Sequence, residues 1–111
     1  MPPVRMEPIQ ADLRREPVLP AERYDLVTVL RFLHRPLLLA IRESVAPGGF
    51  IVYETFHRQD PGREGRPVEA GRTVADGELA AAFDDFEPLI VRDGIARGGR
   101  IISQLLARRS A

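Results

Sequence analysis

The chain has 111 residues, 44% of them apolar, which is enough for one domain with a core of its own. Basic and acidic side chains balance at 16 each, so the sequence shows no electrostatic footprint for nucleic acid. The absence of cysteine excludes disulfides, thiolate nucleophiles and cysteine-based zinc or iron–sulfur sites.

The opening stretch MPPVRMEPIQADLRREP has no apolar run fit for a signal peptide, and no run anywhere is long enough to cross a bilayer. The expected setting is therefore the cytoplasm, with no membrane partner. VRMEPIQADL reads as a short strand ending near Asp12, weakened by Pro8, and RREPVLPAER as a polar connection. YDLVTVL, residues 24–30, is a nearly continuous β-branched and apolar run, as expected of a strand covered on both faces.

Pro36 suits the first turn of a helix, where a missing N–H is harmless. Leu37, Leu38, Ile41 and Val45 then recur at helical spacing, and Pro47-Gly48-Gly49 is read as the helix stop. FIVYETF follows as a second buried strand. Strand, helix and strand with short connections form a βαβ unit with parallel strands.

Residues 57–75 are rich in Gly, Pro and Arg and form a long loop or lid. Its four arginines are balanced by Asp60, Glu64 and Glu69, which favours a solvated lid over an anion-binding surface. Asp76 is expected to cap a helix at DGELAAAF, with Glu78 in its first turn. FEPLIVRDG and RIISQLLARR are two further strands joined by the turn GIARGG, an antiparallel hairpin at the end of the sheet.

In this order, YDLVTVL, the polar switch RFLHR, APGGFIVYETF, DGELAAAF and the terminal hairpin resemble the C-terminal half of a class I S-adenosylmethionine-dependent methyltransferase. The phrases FLHRPLL and QADLRREPVLPAERYDLV are similar to the tellurite-resistance type of small-molecule methyltransferase within that superfamily. The resemblance implies an α/β, Rossmann-like sheet, partial, with mostly parallel strands and a terminal antiparallel hairpin. It also implies S-adenosylmethionine as cofactor and a small-molecule methyl acceptor. The family's Gly-rich cofactor loop after a first strand, and the acidic residue after a second, have no counterpart here. Residues 1–111 are thus expected to be a single partial domain, truncated or C-terminal, and inactive alone.

By the same resemblance Asp12 and Leu13 match the positions that contact adenine, against the plainer reading of an exposed loop aspartate. Leu30, Arg31 and Phe32 match the stretch that passes beneath the cofactor, chiefly through their backbone, with the Leu30 and Phe32 side chains belonging to the core. His34 is the candidate for chemistry, as a general base or a hydrogen-bond partner of the acceptor; otherwise it is a helix N-terminal residue bonded to nearby backbone. Arg35 binds an acidic substrate group or is simply solvated. Tyr53, Glu54 and Thr55 end the next strand and face the acceptor in part. Glu54, a carboxylate in an apolar strand, is either paired with Arg31 or Arg58 or placed in the pocket. A metal site from His34, Glu54 and His57 lacks the spacing and the fourth ligand.

A strand that is central in the family becomes an edge here, with unpaired N–H and C=O groups. The alternatives to a truncated enzyme are a non-catalytic partner that completes its sheet by pairing with another chain through that edge, and a small binding domain that shares only the layout.

Overall fold

The computed structural model describes residues 19–111. The strand read near Asp12, and the adenine positions Asp12 and Leu13, lie outside the described residues. In chain order the elements are β1 (Tyr24–Leu30), α1 (Leu38–Ser44), β2 (Val45–Phe56), α2 (Glu78–Ala82), β3 (Phe86–Arg97) and β4 (Arg100–Arg109). A 3-10 turn at Arg35–Leu37, with Pro36 in its opening, leads into α1.

The four strands form one sheet in the order β1-β2-β4-β3. β1 pairs with β2 in parallel, but β4 pairs antiparallel with both β2 and β3. The sheet is therefore mixed rather than mostly parallel. β3 does run in the direction of β1 and β2, yet it never touches them, because the chain folds straight back on itself and β4 takes the place between β2 and β3. The turn that reverses it is Gly98-Gly99, with φ of +57° and +78°, the left-handed pair that a two-residue hairpin loop demands. The rest of GIARGG belongs to β3, so the turn is narrower than the sequence indicates.

Alternation along β2 divides the molecule. Ile51 and Tyr53 point to the side carrying both helices, and their partners across the ladder, Ala107 and Leu105, are buried with them. Leu33, Leu37 and Ile41 from the α1 region and Leu79, Phe83 and Phe86 from the α2 region complete this core. Phe83 sits edge-on to Phe86 at 5.4 Å between ring centroids and tilts against Tyr53 at 6.2 Å. Helix α1 buries Ile41, while Ser44 caps its own end by donating to the Ile41 carbonyl at 2.6 Å.

The opposite face carries no helix among the described residues. Leu26 and Leu30 of β1 are 59% and 60% exposed, and Phe50 and Ile90 lie on the same open side. The expectation of a β1 covered on both faces is thus corrected: Val27 and Val29 face the core, and Leu26 and Leu30 face away from it. β1 is also the outer strand of the sheet, where its far edge has no described partner.

Two local expectations change as well. Helix α1 ends at Ser44, and Val45 is already extended, so Pro47-Gly48-Gly49 is not the helix stop. It forms a bulge inside β2: β1 advances from Tyr24 to Leu26 while β2 advances from Val45 to Phe50. Gly49 is required there by close approach, since a Cβ would lie 2.9 Å from the carbonyl oxygens of both Asp25 and Ala46. Asp76 does not cap α2. The N-cap is Gly77 at φ +76°, with no side-chain cap bond, and the Asp76 carboxylate is engaged elsewhere. No described helix is long and apolar enough to cross a membrane.

Replacing Gly49 by alanine presses a methyl group against two backbone carbonyls of the β1–β2 junction. Urea denaturation of Gly49→Ala is expected to show a loss of about 1–3 kcal/mol; an unchanged midpoint would mean the bulge yields freely.

Candidate active site

The carboxyl ends of β1 and β2 lie side by side, with Leu30 opposite Glu54 in register. Here the chain leaves β1 through Arg31, a non-glycine residue at φ +54°. That left-handed turn costs a side-chain-bearing residue on the order of 1 kcal/mol, and it is held from two directions. The Arg31 N–H donates to the Glu54 carbonyl at 2.6 Å, and the Tyr53 hydroxyl donates to the Phe32 carbonyl at 2.7 Å. Burial pushes the Tyr53 hydroxyl well above the usual phenol range, so it remains a donor at neutral pH.

The strand alternation distributes the sequence candidates over two faces. Tyr53 and Thr55 point into the helix side and are fully buried. The Thr55 hydroxyl and that of Ser103, directly across the ladder, are buried without a hydrogen-bond partner. Glu54 points to the open face. Its Oε1 accepts from Arg97 Nη1 at 3.0 Å and from Gln104 Nε2 at 2.8 Å, while its Oε2 faces Arg31 Nε at 3.9 Å. Of the two pairing candidates Arg31 is therefore near, but the close partners are Arg97 and Gln104.

Two hollows open at this end. One, of about 320 Å³, lies between Arg31, Phe32 and Leu33 and the loop residues Val68, Glu69 and Arg72. The other, of about 390 Å³, opens on the bare face over Leu30, Val52 and Glu54, with Arg97 and Gln104 at its side. Arg31 and Phe32 thus belong to one hollow, Leu30 and Glu54 to the other. His34 stands half-buried at the cap of the 3-10 turn, its carbonyl accepting from the Leu37 N–H at 2.8 Å; its side chain makes no capping bond. It lines neither hollow.

The connection from His57 to Ala75 is tied down by polar anchors that the sequence did not reveal. Asp60 is buried and accepts from the Arg100 guanidinium at 2.9 Å, the Ile101 N–H at 2.7 Å and the Gly62 N–H at 3.0 Å. Burial alone would raise this carboxyl, but the guanidinium and the two N–H groups outweigh it and hold Asp60 below the usual carboxylate range. Arg100 also lies 3.9 Å from the Phe56 ring centroid. His57 is buried; its Nδ1 accepts from the Gln59 N–H at 3.1 Å, so Nε2 carries the proton and donates to Asp76 at 2.7 Å. Arg35 is exposed, yet its guanidinium is already committed within the chain. It donates to both carboxylate oxygens of Glu78 and to the Gly71 and Thr73 carbonyls, the latter two each at 2.9 Å. Among the described residues no cluster of three metal-ligating side chains is assembled.

No protein-family model matches the chain, and no curated protein matches it at a significant level. Solved structures do. TehB from Haemophilus influenzae superposes with a TM-score of 0.66 at 20% identity, covering 92% of this chain and 40% of its own. The N-methyltransferase NodS from Bradyrhizobium japonicum gives 0.61 at 16% identity, covering 85% and 55%. An S-adenosylmethionine-dependent methyltransferase from Mesorhizobium loti gives 0.56 at 17% identity, covering 82% and 64%. The chain has an α/β methyltransferase-like fold. It spans less than two thirds of the length of each of these structures.

Asp60→Ala strands the Arg100 guanidinium and two N–H groups, and is expected to lower stability by about 2–4 kcal/mol in chemical denaturation. Because the folded-state carboxyl is depressed, this contribution is complete above the ordinary Asp value of about 3.9 and fades as pH falls through the folded value. The gap between wild type and Asp60→Ala should accordingly narrow below about pH 4; a gap that widens in acid would contradict the assignment.

Proposed function

We propose that this chain is the acceptor-side part of an S-adenosylmethionine-dependent methyltransferase acting on a small molecule, and that it works only with further chain completing the sheet. The observation that carries the reading is the superposition of 82–92% of this chain, with its sheet order β1-β2-β4-β3, on TehB and two methyltransferases. Two hollows at the carboxyl ends of the parallel pair, where α/β sheets bind ligands, support the placement of the site.

The residues at hand fit part of such a cofactor. Arg31–Leu33 offer a turn braced by the Tyr53 hydroxyl, with an apolar wall on the hollow beside it. S-adenosylmethionine, when bound, would supply an electrophilic methyl group on a sulfonium. In this reading Asp12 and Leu13 contact adenine and Leu30, Arg31 and Phe32 lie beneath the cofactor. Tyr53 and Thr55 shape the pocket from the helix side, and Glu54 does so from the open face. His34, although it lines neither hollow, would serve a protonated acceptor as general base or as hydrogen-bond partner.

The open edge of β1 with its exposed Leu26 and Leu30 favours a completing partner, either further residues of a longer protein or a separate chain. A stand-alone sheet would leave these groups as an aggregation template.

Calorimetric titration of residues 1–111 with S-adenosylmethionine is expected to show no saturation in the micromolar range. The protein read from any upstream extension of the frame, or the chain with its completing partner, should bind it. Micromolar binding by residues 1–111 alone would overturn the half-domain reading, and no binding by the completed protein would overturn the methyltransferase reading. In that completed protein His34→Ala should reduce turnover by about 10²–10⁴-fold if the residue takes the proton.

A further inference from the structure

β3 carries an irregularity that reshapes the open face. Its register with β4 runs from Arg92↔Gln104 to Ile95↔Ile102, so β3 spends one residue more than its partner. The extra residue falls at Asp93-Gly94, with Gly94 at φ +64°. In an unbroken strand, residues five apart point to opposite faces. The bulge cancels one step and brings Arg92 and Arg97 to the same side of the sheet. Both line the hollow of about 390 Å³ on the open face, at its Glu54 end.

The charges there do not balance. Glu54 is the one carboxylate lining the hollow, and its Oε1 already accepts from Arg97 and Gln104. Arg31 stands 3.9 Å from its other oxygen. Arg92 has no ion-pair or hydrogen-bond partner among the described residues, although it lines an otherwise satisfied pocket. Two guanidinium groups beside one carboxylate leave the hollow cationic. Its floor is apolar, made by Leu30, Val52, Ile90 and Leu106. Low-polarity walls strengthen the attraction of a guanidinium for an anion, and the planar fork suits a carboxylate.

We infer that this hollow binds a small organic acid, its carboxylate on Arg92 and Arg97 and its apolar body on the floor between β1, β2 and β4. Glu54 is then a positioning residue, which holds Arg97 through its Nη1 and the Gln104 amide while Arg92 and the rest of the Arg97 fork meet the ligand. The inference deepens the acceptor-site reading and rests on it for the ligand's role. It gives the acceptor a carboxylate group, and it gives the Asp93-Gly94 bulge a purpose.

The test is a two-dimensional ¹H–¹⁵N titration of the 111-residue chain with benzoate, benzyl alcohol, benzylamine and acetate. Benzoate should move the Gln104 side-chain amide and the arginine Nε–H signals in a saturable way, and it should bind tighter than the other three. Arg92→Gln and Arg97→Gln, both exposed positions, should each weaken benzoate by roughly tenfold while leaving the remaining spectrum dispersed. Benzylamine or benzyl alcohol binding as well as benzoate would overturn the charge assignment, and acetate binding as well would overturn the apolar floor. Benzoate affinity unchanged in both variants, or no saturable shift, would overturn the site. These readouts involve no methyl transfer, so they stand or fall apart from the cofactor titration.

Discussion

The alternation of β2, locked in place by β4, decides where every side chain at the candidate site points. Tyr53 opposite Leu105 and Glu54 opposite Gln104 fix the register, and a slip of one residue would send the apolar set to solvent and the carboxylate into the core. Because the register holds, consecutive residues serve opposite faces. Tyr53 braces the turn after β1 from within, while its neighbour Glu54 organises charge on the outside. The two hollows lie close together at this end, with Arg31 lining one and its neighbour Glu54 lining the other.

Buried polar anchoring is the second device. The long connection after β2 contributes little to the core beyond Val74, and it is held by directed bonds instead. Asp60 gathers a guanidinium and two backbone N–H groups, His57 bridges backbone and Asp76, and Arg35 reaches from the turn before α1 to Glu78. Such bonds are directional and lose much of their value when one partner is removed, so they specify a single path for the segment. A glycine- and proline-rich loop without them would have many.

Much of the fold was legible in the chain. The β-branched runs placed β1 and β2, the helical spacing placed α1, and the hairpin of β3 and β4 followed from two strand-like runs around glycines. Local signals of that kind say nothing of which strands become neighbours, and the insertion of β4 between β2 and β3 is a long-range choice. The same limit applied to the faces of β1: a continuous apolar run reads as two-sided burial, whereas the described structure covers one side. Asp76 was misjudged and the pairing of Arg35 missed because a carboxylate before a helix and an arginine in a turn have a common local use. Their actual partners, His57 and Glu78, are remote in sequence. Arg92 and Arg97 could not be placed together from their spacing, since the bulge that aligns them is visible only once the register with β4 is known.

The tight Gly98-Gly99 reversal has a consequence for how the molecule assembles. It joins β3 and β4 by the shortest loop in the sheet, so their pairing closes with little entropy loss and requires no distant contact. β2 must then find β4 across the long connection, and β1 joins last in space, at the far edge. The order of assembly would thus run from the C-terminal hairpin towards the open strand. The surface completed last is then the outer edge of β1, two strands removed from β4 and farthest from the hairpin that forms first.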